Sequence, residues 1–341
     1  MRMRYDHDSG FTIAIEDSSQ VGEARRTAGA VAGAAGLNET DAGKFAILAT
    51  EAATNIAKHA GRGEMMLRSI RAPGMCAAEL VAIDNGPGIP DLDRAMRDGY
   101  STAGSPGGGL GAFSRLATRF DMYTAAGAGT VLLARIEAPV AGERGRHPLE
   151  VGVVRVPKRG ELDCGDDWGI VIDENGRALL TVVDGLGHGT AAAEAARRAV
   201  EIATQHSSDA AGAVVATIHA GLRATRGAAL AVAELSADQS SIRFSGLGNI
   251  AASMVSSAGS KSLVSHNGIA GHEMRKIQEF PYDWPGDGIL VVHSDGVSSR
   301  WDLGRYPGLA RRDPSVVAGV IYRDYSRGRD DALVVVVRAA A

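Results

Sequence analysis

Apolar positions recur every three to four residues from Val21 to His59, first through VGEARRTAGAVAGAAGL and then through DAGKFAILATEAATNIAKHA, with a turn at Asn38-Glu39-Thr40 between them. That spacing predicts two helices, the second capped by Asn38 or Thr40 and followed closely by Gly61. Strand-like runs from Met65 to Ile70 and from Ala77 to Ile83 come next, then a Gly/Pro-rich stretch from Asn85 to Pro90. A second Gly-rich stretch, Gly104 to Gly111, opens a further helical pattern, GAFSRLATRF, and MYTAAGAGTVLLARIE reads as a hairpin. Residues 138–148 mix Pro, Gly and charge without period and read as a linker. After the linker strands dominate: VGVVRV, WGIVID, ALLTVVD, AALAVAEL, SIRFSGL, AASMVSS, GILVVHS and ALVVVVR, with helical stretches from Ala191 to Ala203 and from Ala210 to Leu222. The first half is thus an α+β layer, and the second a two-sheet core with helices on its outer faces.

Length and composition sharpen this picture. A chain of 341 residues exceeds one ordinary core, so two domains are expected. With 45% hydrophobic and 22% charged residues the chain has the balance of a folded protein. A formal net charge of -4 gives no field favouring nucleic acid or an anionic membrane, so neither is an expected partner. No apolar run approaches the ~18 residues that span a bilayer, and Cys76 and Cys164 stand far apart in no metal-binding spacing. A reducing cytoplasm is the expected setting. The 44 glycines, against 5% aromatic residues, turn attention to where the glycines cluster.

Glu51 and Asn55 lie four apart on the second predicted helix, hence on one face. An amide oxygen from Asn55 suits Mg²⁺ bridging nucleotide phosphates, and Glu51 suits deprotonation of an attacking hydroxyl, with Lys58 and His59 near the same phosphates. Taken alone, the pattern is far more simply a solvated helix face, with His59 favouring the helix C-terminus. In IDNGPGIPD, Asp84 follows a strand and can accept a hydrogen bond from the adenine amine, while Gly86 and Gly88 let backbone approach the base. An ordinary turn is the plainer reading of that stretch. In GSPGGGLGAF, Gly107, Gly108, Gly109, Leu110 and Gly111 stand at a helix start, where free N–H groups favour phosphate.

In this order, and with the late Gly129-Thr130 pair, these elements resemble the ATP-binding (GHKL) fold shared by histidine kinases, Hsp90, MutL and gyrase. EAATNIAKHA is most similar to the anti-sigma-factor serine kinases. The resemblance spans about residues 12–137. It implies an α/β sandwich in which Asn55 holds Mg²⁺, Glu51 is the general base, Asp84 binds adenine, Gly86, Gly88 and Gly107 to Gly111 line base and phosphates, and Thr130 lies near the adenine. No histidine-bearing dimerisation segment precedes the fold, which disfavours a histidine kinase. The expected phosphoryl acceptor is a Ser or Thr on another protein.

Four acidic points recur in the second half: Asp166-Asp167, Asp184 in VVDGLGHG, Asp295 in VVHSDGV, and Asp330-Asp331. Strand-end carboxylates can converge on one edge of a sheet, where two divalent ions ~3.5–4 Å apart would activate a water for attack on phosphorus. Any one Asp-Gly pair is more simply a turn. The sequence of motifs resembles the metal-dependent serine/threonine phosphatases of the protein phosphatase 2C (PPM) type, in the SpoIIE-like sporulation and stress-response branch, over about residues 151–338. RATRGAALAVAEL and IRFSGLGNIAASMV share that likeness. The resemblance implies an α-β-β-α sandwich in which Asp166 and Asp184, with the Gly185 carbonyl, hold one Mg²⁺ or Mn²⁺, and Asp184, Asp295 and Asp330 hold the other. Asp167 and Asp331 remain alternatives within their doublets. His188 is a candidate proton donor and Arg226 a candidate phosphoprotein contact, although a polar contact and a solvated charge are the plainer readings. Cys164 reads as a small buried residue, because no phosphate-cradling loop follows it.

The expected organisation is an ATP-binding kinase-like domain over residues 1–137, a linker over 138–150 and a phosphatase domain over 151–341. The function implied is a bifunctional partner-switching enzyme that uses ATP with Mg²⁺ or Mn²⁺. Its implied targets are a STAS-domain anti-sigma antagonist, the phosphorylated form of that protein, or a sigma factor or other regulator. The alternative is a phosphatase whose first half only binds nucleotide. Opposed activities on one target would hydrolyse ATP without net change, so either different targets or reciprocal control is expected.

Overall fold

The computed structural model describes the chain apart from residues 1–2, 5–9, 73, 96–108, 141–147, 237, 239, 275 and 341. Two compact units emerge, and a single cut does not separate them. The N-terminal unit comprises Asp6–Gly145 together with Arg311–Arg323; the C-terminal unit comprises Met1–Tyr5, Arg146–Ala310 and Asp324–Ala341. A two-residue strand, β1 (Met3–Arg4), opens the chain and pairs within the C-terminal unit.

The N-terminal unit follows with β2 (Phe11–Ile15), α1 (Gln20–Ala35), α2 (Glu39–Asn55), β3 (Gly63–Ala72), β4 (Met75–Asp84), α3 (Leu92–Ala95), α4 (Gly109–Leu116), β5 (Arg119–Thr124) and β6 (Thr130–Pro139). Its strands form an antiparallel sheet in the order β2-β3-β4-β6-β5. Asn38 is the residue that caps α2, its side chain accepting a bond from the Asp41 amide at 2.9 Å. The small apolar stripe of α1 (Ala24, Ala28, Val31) and the larger one of α2 (Phe45, Leu48, Ala52) pack on Met65, Leu67, Leu80 and Ile136 of the sheet.

The C-terminal unit continues with β7 (Leu149–Val156), β8 (Asp166–Ile172), β9 (Ala178–Gly185), α5 (Thr190–Gln205), α6 (Ala211–Gly221), β10 (Ala228–Leu235), β11 (Ser241–Leu247), β12 (Ala251–Ser256), β13 (Gly259–Leu263), β14 (Ser265–His266), β15 (Phe280–Asp283) and β16 (Ile289–His293). After β16 come α7 (Pro314–Tyr325), most of which belongs to the other unit, and the last strand, β17 (Ala332–Ala339). One sheet runs β1-β8-β9-β10-β11-β14, with β15 also on β11; the second runs β13-β12-β16-β17-β7. Alternate side chains of the two sheets interdigitate, with Trp168, Leu180, Ala231 and Phe244 facing Val153, Met254, Val292 and Val335. On the opposite face of the first sheet, Leu179, Val183, Leu230 and Val232 bury against Ala196, Ala199, Val214 and Ile218 of α5 and α6.

Candidate nucleotide and metal sites

α2 carries Glu51 and Asn55 to its C-terminal end, where the helix widens into a single π turn, Ile56–Ala60, closed by a bond from the Gly61 amide to the Ile56 carbonyl at 2.9 Å. Lys58 and His59 stand exposed on that turn. Asp84 ends the central strand β4, flanked in register by Gly63 and by Thr130. Its Oδ1 accepts from the Gly86 amide at 2.8 Å. Burial pushes the Asp84 carboxyl upward, opposed by the Gly86 and Thr130 amides and by the charges of Arg323 and His59. Thr124 ties the neighbouring strand end, its hydroxyl accepting from the Ile89 amide at 2.9 Å and lying 3.1 Å from the Thr130 hydroxyl. Gly109, Leu110 and Gly111 open α4, whereas Gly107 and Gly108 lie outside the described residues. The structure therefore gathers Asp84, Gly86, His59 and Thr130 at one strand end, beside the helix turn that carries Asn55.

The acidic residues of the second half meet at one end of the sheet pair. Asp166 and Asp184 stand directly opposite each other on β8 and β9, so their side chains share a face. Asp167, next along β8, points to the other face, its Oδ1 accepting from the Trp168 amide at 2.9 Å. Asp295 follows β16, and Asp330 and Asp331 precede β17. Burial first, then the charges of Asp295, Asp330 and Asp331, raise the pKa of Asp184 to about 7. Asp166 is raised well above the carboxylate range by burial and by Asp184. Asp331 is buried with Oδ1 accepting from the Lys158 amide at 2.8 Å, while its Oδ2 has no hydrogen-bond partner. Among the described residues no three His, Cys, Asp or Glu side chains already form a finished metal shell. The donor chemistry nevertheless fits divalent cations: every group is a hard oxygen, the carboxylates repel one another, and one buried carboxylate oxygen is unsatisfied. Gly185 has a further reason to be glycine, since a Cβ there would stand 2.1 Å from the Ala192 carbonyl oxygen of α5.

Several polar groups around this site carry no motif. The Ser294 hydroxyl donates to Asp166 Oδ2 at 2.6 Å and accepts from the Leu333 amide at 3.0 Å, tying the second sheet to β8. The Asn249 amide donates to Asp295 Oδ2 at 2.7 Å. Arg155 clamps the Asp166 and Cys164 carbonyls at 2.6 and 3.1 Å. His188 is engaged with Glu161 at 2.7 Å, and Arg226 is exposed near Gly187. Cys164 is buried, and burial pushes its thiol far up, away from nucleophilic use. No helix among the described residues is long and apolar enough to cross a membrane.

Comparison with known proteins bears on both units. The family model described as histidine kinase-like ATPase domain matches residues 8–136. Serine/threonine-protein kinase RsbT of Bacillus subtilis (strain 168) is 35% identical over 111 residues, 33% of this chain and 84% of the relative. A solved chain from "The bacterial stressosome: a modular system that has been adapted to control secondary messenger signaling" has 28% identity and a TM-score of 0.52, covering 56% of this chain and 100% of its own length. The PP2C phosphatase domain of SpoIIE from Bacillus subtilis, solved with a fragment of its regulatory domain, has 17% identity and a TM-score of 0.47, covering 78% of this chain and 79% of its own. Through its residues 8–136 the chain belongs to the histidine kinase-like ATPase family, and its N-terminal unit is an ATP-binding, kinase-like domain related to RsbT.

Proposed function

We propose that the chain both phosphorylates and dephosphorylates regulatory proteins: an ATP-dependent serine/threonine kinase on the N-terminal unit and a Mg²⁺- or Mn²⁺-dependent phosphoserine/phosphothreonine phosphatase on the C-terminal unit. STAS-domain regulators are the substrate class that the relationship to RsbT favours. In the kinase reaction Asp84 anchors the adenine amine, Asn55 lends an amide oxygen to Mg²⁺, and Glu51 takes the proton from the acceptor hydroxyl as its oxygen bonds to the γ-phosphorus and ADP departs.

In the phosphatase reaction Asp166, Asp184, Asp295, Asp330 or the buried Asp331 beside it, and the Gly185 carbonyl would hold the two cations, which would supply an activated water and charge neutralisation. The chain's own work there is orientation: Ser294 and Asn249 fix the Asp166 and Asp295 carboxylates, and Arg155 holds the strand start that presents Asp166. The observation that most supports this reading is the pairing of Asp166 with Asp184 across β8 and β9, with Asp295 and Asp330 raising the same carboxyl.

The test is to incubate the full chain with γ-labelled ATP and a small STAS-domain protein. Label on Ser or Thr is expected, and its disappearance in Glu51→Ala. The phosphorylated product should then lose its label with Mn²⁺, and keep it in EDTA or with Asp184→Asn. Nucleotide binding without transfer to any acceptor would replace the kinase half with a nucleotide-dependent binding module. Undiminished dephosphorylation in EDTA would remove the metal-dependent phosphatase.

A further inference from the structure

Exposed apolar side chains are ordinary on a folded surface, so their position carries more meaning than their number. Among the described residues five large ones are exposed: Phe11, Ile47, Leu162, Leu186 and Val264. Two of these, Leu162 and Leu186, stand on the two loops that frame the acidic site of the C-terminal unit. Leu162 lies between β7 and β8, ahead of Asp166, and is fully exposed. Leu186 directly follows Gly185, whose carbonyl is a candidate cation ligand, and is half-exposed.

Both loops are tied down. The Gly185 amide donates to the Gly165 carbonyl at 3.0 Å and the Leu186 amide to the Gly227 carbonyl at 3.0 Å, so backbone bonds fix the chain that carries Leu186. On either side of Leu162, Glu161 is bonded to His188 at 2.7 Å and Asp163 accepts from the Thr190 hydroxyl at 2.7 Å. The two leucines are therefore carried on loops linked to each other at two points. The same loops close on the acidic site. A Cβ at Gly165 would stand 2.7 Å from Asp331 Oδ2 and 3.5 Å from the Gly187 carbonyl oxygen. A Cβ at Gly187 would stand 3.1 Å from Arg226 Nη1, which places that exposed guanidinium beside the Leu186 loop.

Two apolar side chains held in water at fixed positions, next to a guanidinium and to carboxylates suited to divalent cations, offer a counterpart to each part of a phosphorylated segment. The phosphoryl dianion is complementary to Arg226 and to a cation-loaded acidic site. An apolar side chain one or two residues away lies about 3.5 Å per residue further along an extended segment, the scale on which Leu186 follows Gly185. Covering the leucines removes apolar area from water, a gain that a polar neighbour of the phosphorylated residue would not return. We propose that Leu162 and Leu186 form a specificity surface that selects phosphoserine and phosphothreonine segments carrying an apolar side chain within two residues of the phosphorylated position. The proposal rests on the metal-dependent phosphatase reading above, and adds which phosphorylated segments that site takes.

The full chain with Mn²⁺ is assayed on phosphoserine peptides that each carry one leucine, placed from two residues before to two residues after the phosphoserine, against a leucine-free parent of alanine and serine. At least one placement is expected to raise kcat/KM about tenfold or more. The same leucine should tighten binding of the matching peptide with a non-hydrolysable phosphonate by about the same factor in fluorescence anisotropy, a readout without turnover. In Leu162→Ser/Leu186→Ser the ratio between leucine-bearing and leucine-free peptides should fall to within about twofold, while Leu162→Met/Leu186→Met, which keeps the apolar surface, should retain most of it. Each ratio compares two peptides on one protein, so a general loss of activity cancels. Wild-type ratios within about twofold at every placement would overturn the proposal without any variant, as would a wild-type ratio in the serine variant. Absence of Mn²⁺-dependent hydrolysis of every peptide and of p-nitrophenyl phosphate would instead refute the phosphatase reading, and the specificity with it.

Discussion

Replacing Glu79 with Gln removes the anion at the centre of the face on which α7 docks. Glu79, on β4, is 1% exposed and accepts from Arg68 Nε at 2.7 Å, from Arg135 Nε at 2.8 Å and from the Ser315 hydroxyl at 3.3 Å. Burial alone would push its carboxyl up, but Arg68 and Arg135 together overrule burial and hold the pKa at about 2, against an ordinary 4.5. At ~1.36 kcal/mol per pH unit, this difference stabilises the fold by about 3 kcal/mol while the group is ionised. Because the folded-state value is the lower one, the contribution is complete above about pH 4.5 and is lost as pH falls toward about 2. The variant also strands Arg135, which retains Glu137 at 3.2 Å, so the cost should fall at the lower end of the ~3–5 kcal/mol for breaking a buried pair. Urea unfolding followed by circular dichroism should show Glu79→Gln about 3 kcal/mol less stable than wild type at pH 7, and the gap shrinking to about 1 kcal/mol at pH 3. Ser315→Ala, which deletes one neutral donor, should cost only about 1 kcal/mol. A Glu79→Gln loss below about 1 kcal/mol at pH 7, or a gap that does not narrow on acidification, would refute the claim that this cluster holds the sheet face together.

Other outcomes follow from the two sites. Asn249→Ala deprives the Asp295 carboxylate of the Asn249 amide donor and should raise the Mn²⁺ concentration for half-maximal phosphatase activity ~10- to 100-fold, with little change in the rate at saturation. Asp84→Asn should weaken ADP binding ~10- to 100-fold by calorimetry, as expected for losing a charge-assisted bond to the base. Gly86→Ala would place a Cβ 2.7 Å from the Ala60 Cβ of the π turn; it should cost about 1–3 kcal/mol in stability and reduce nucleotide affinity in the same measurement.

What could be read in the sequence is what a short window contains. The period of α1 and α2, the Asn38 cap and the strands of the second half all announce themselves within about ten to fifteen residues, because their causes are local. The acidic points could be singled out for a related reason: each lies in or within two residues of a strand end, where a sheet pair can bring distant carboxylates together. Asn249, Ser294 and Arg155 were not, because each is an ordinary polar residue whose meaning lies in a partner elsewhere, Asp295 for Asn249 and Asp166 for the other two. α7 escaped for a different reason. Its sequence, PSVVAGVIYRDY, is apolar nearly all round and rich in β-branched residues, so no amphipathic period marks it as a helix. That uniformity is itself the imprint of its position, since a segment buried on every side has no solvent face to carry polar residues.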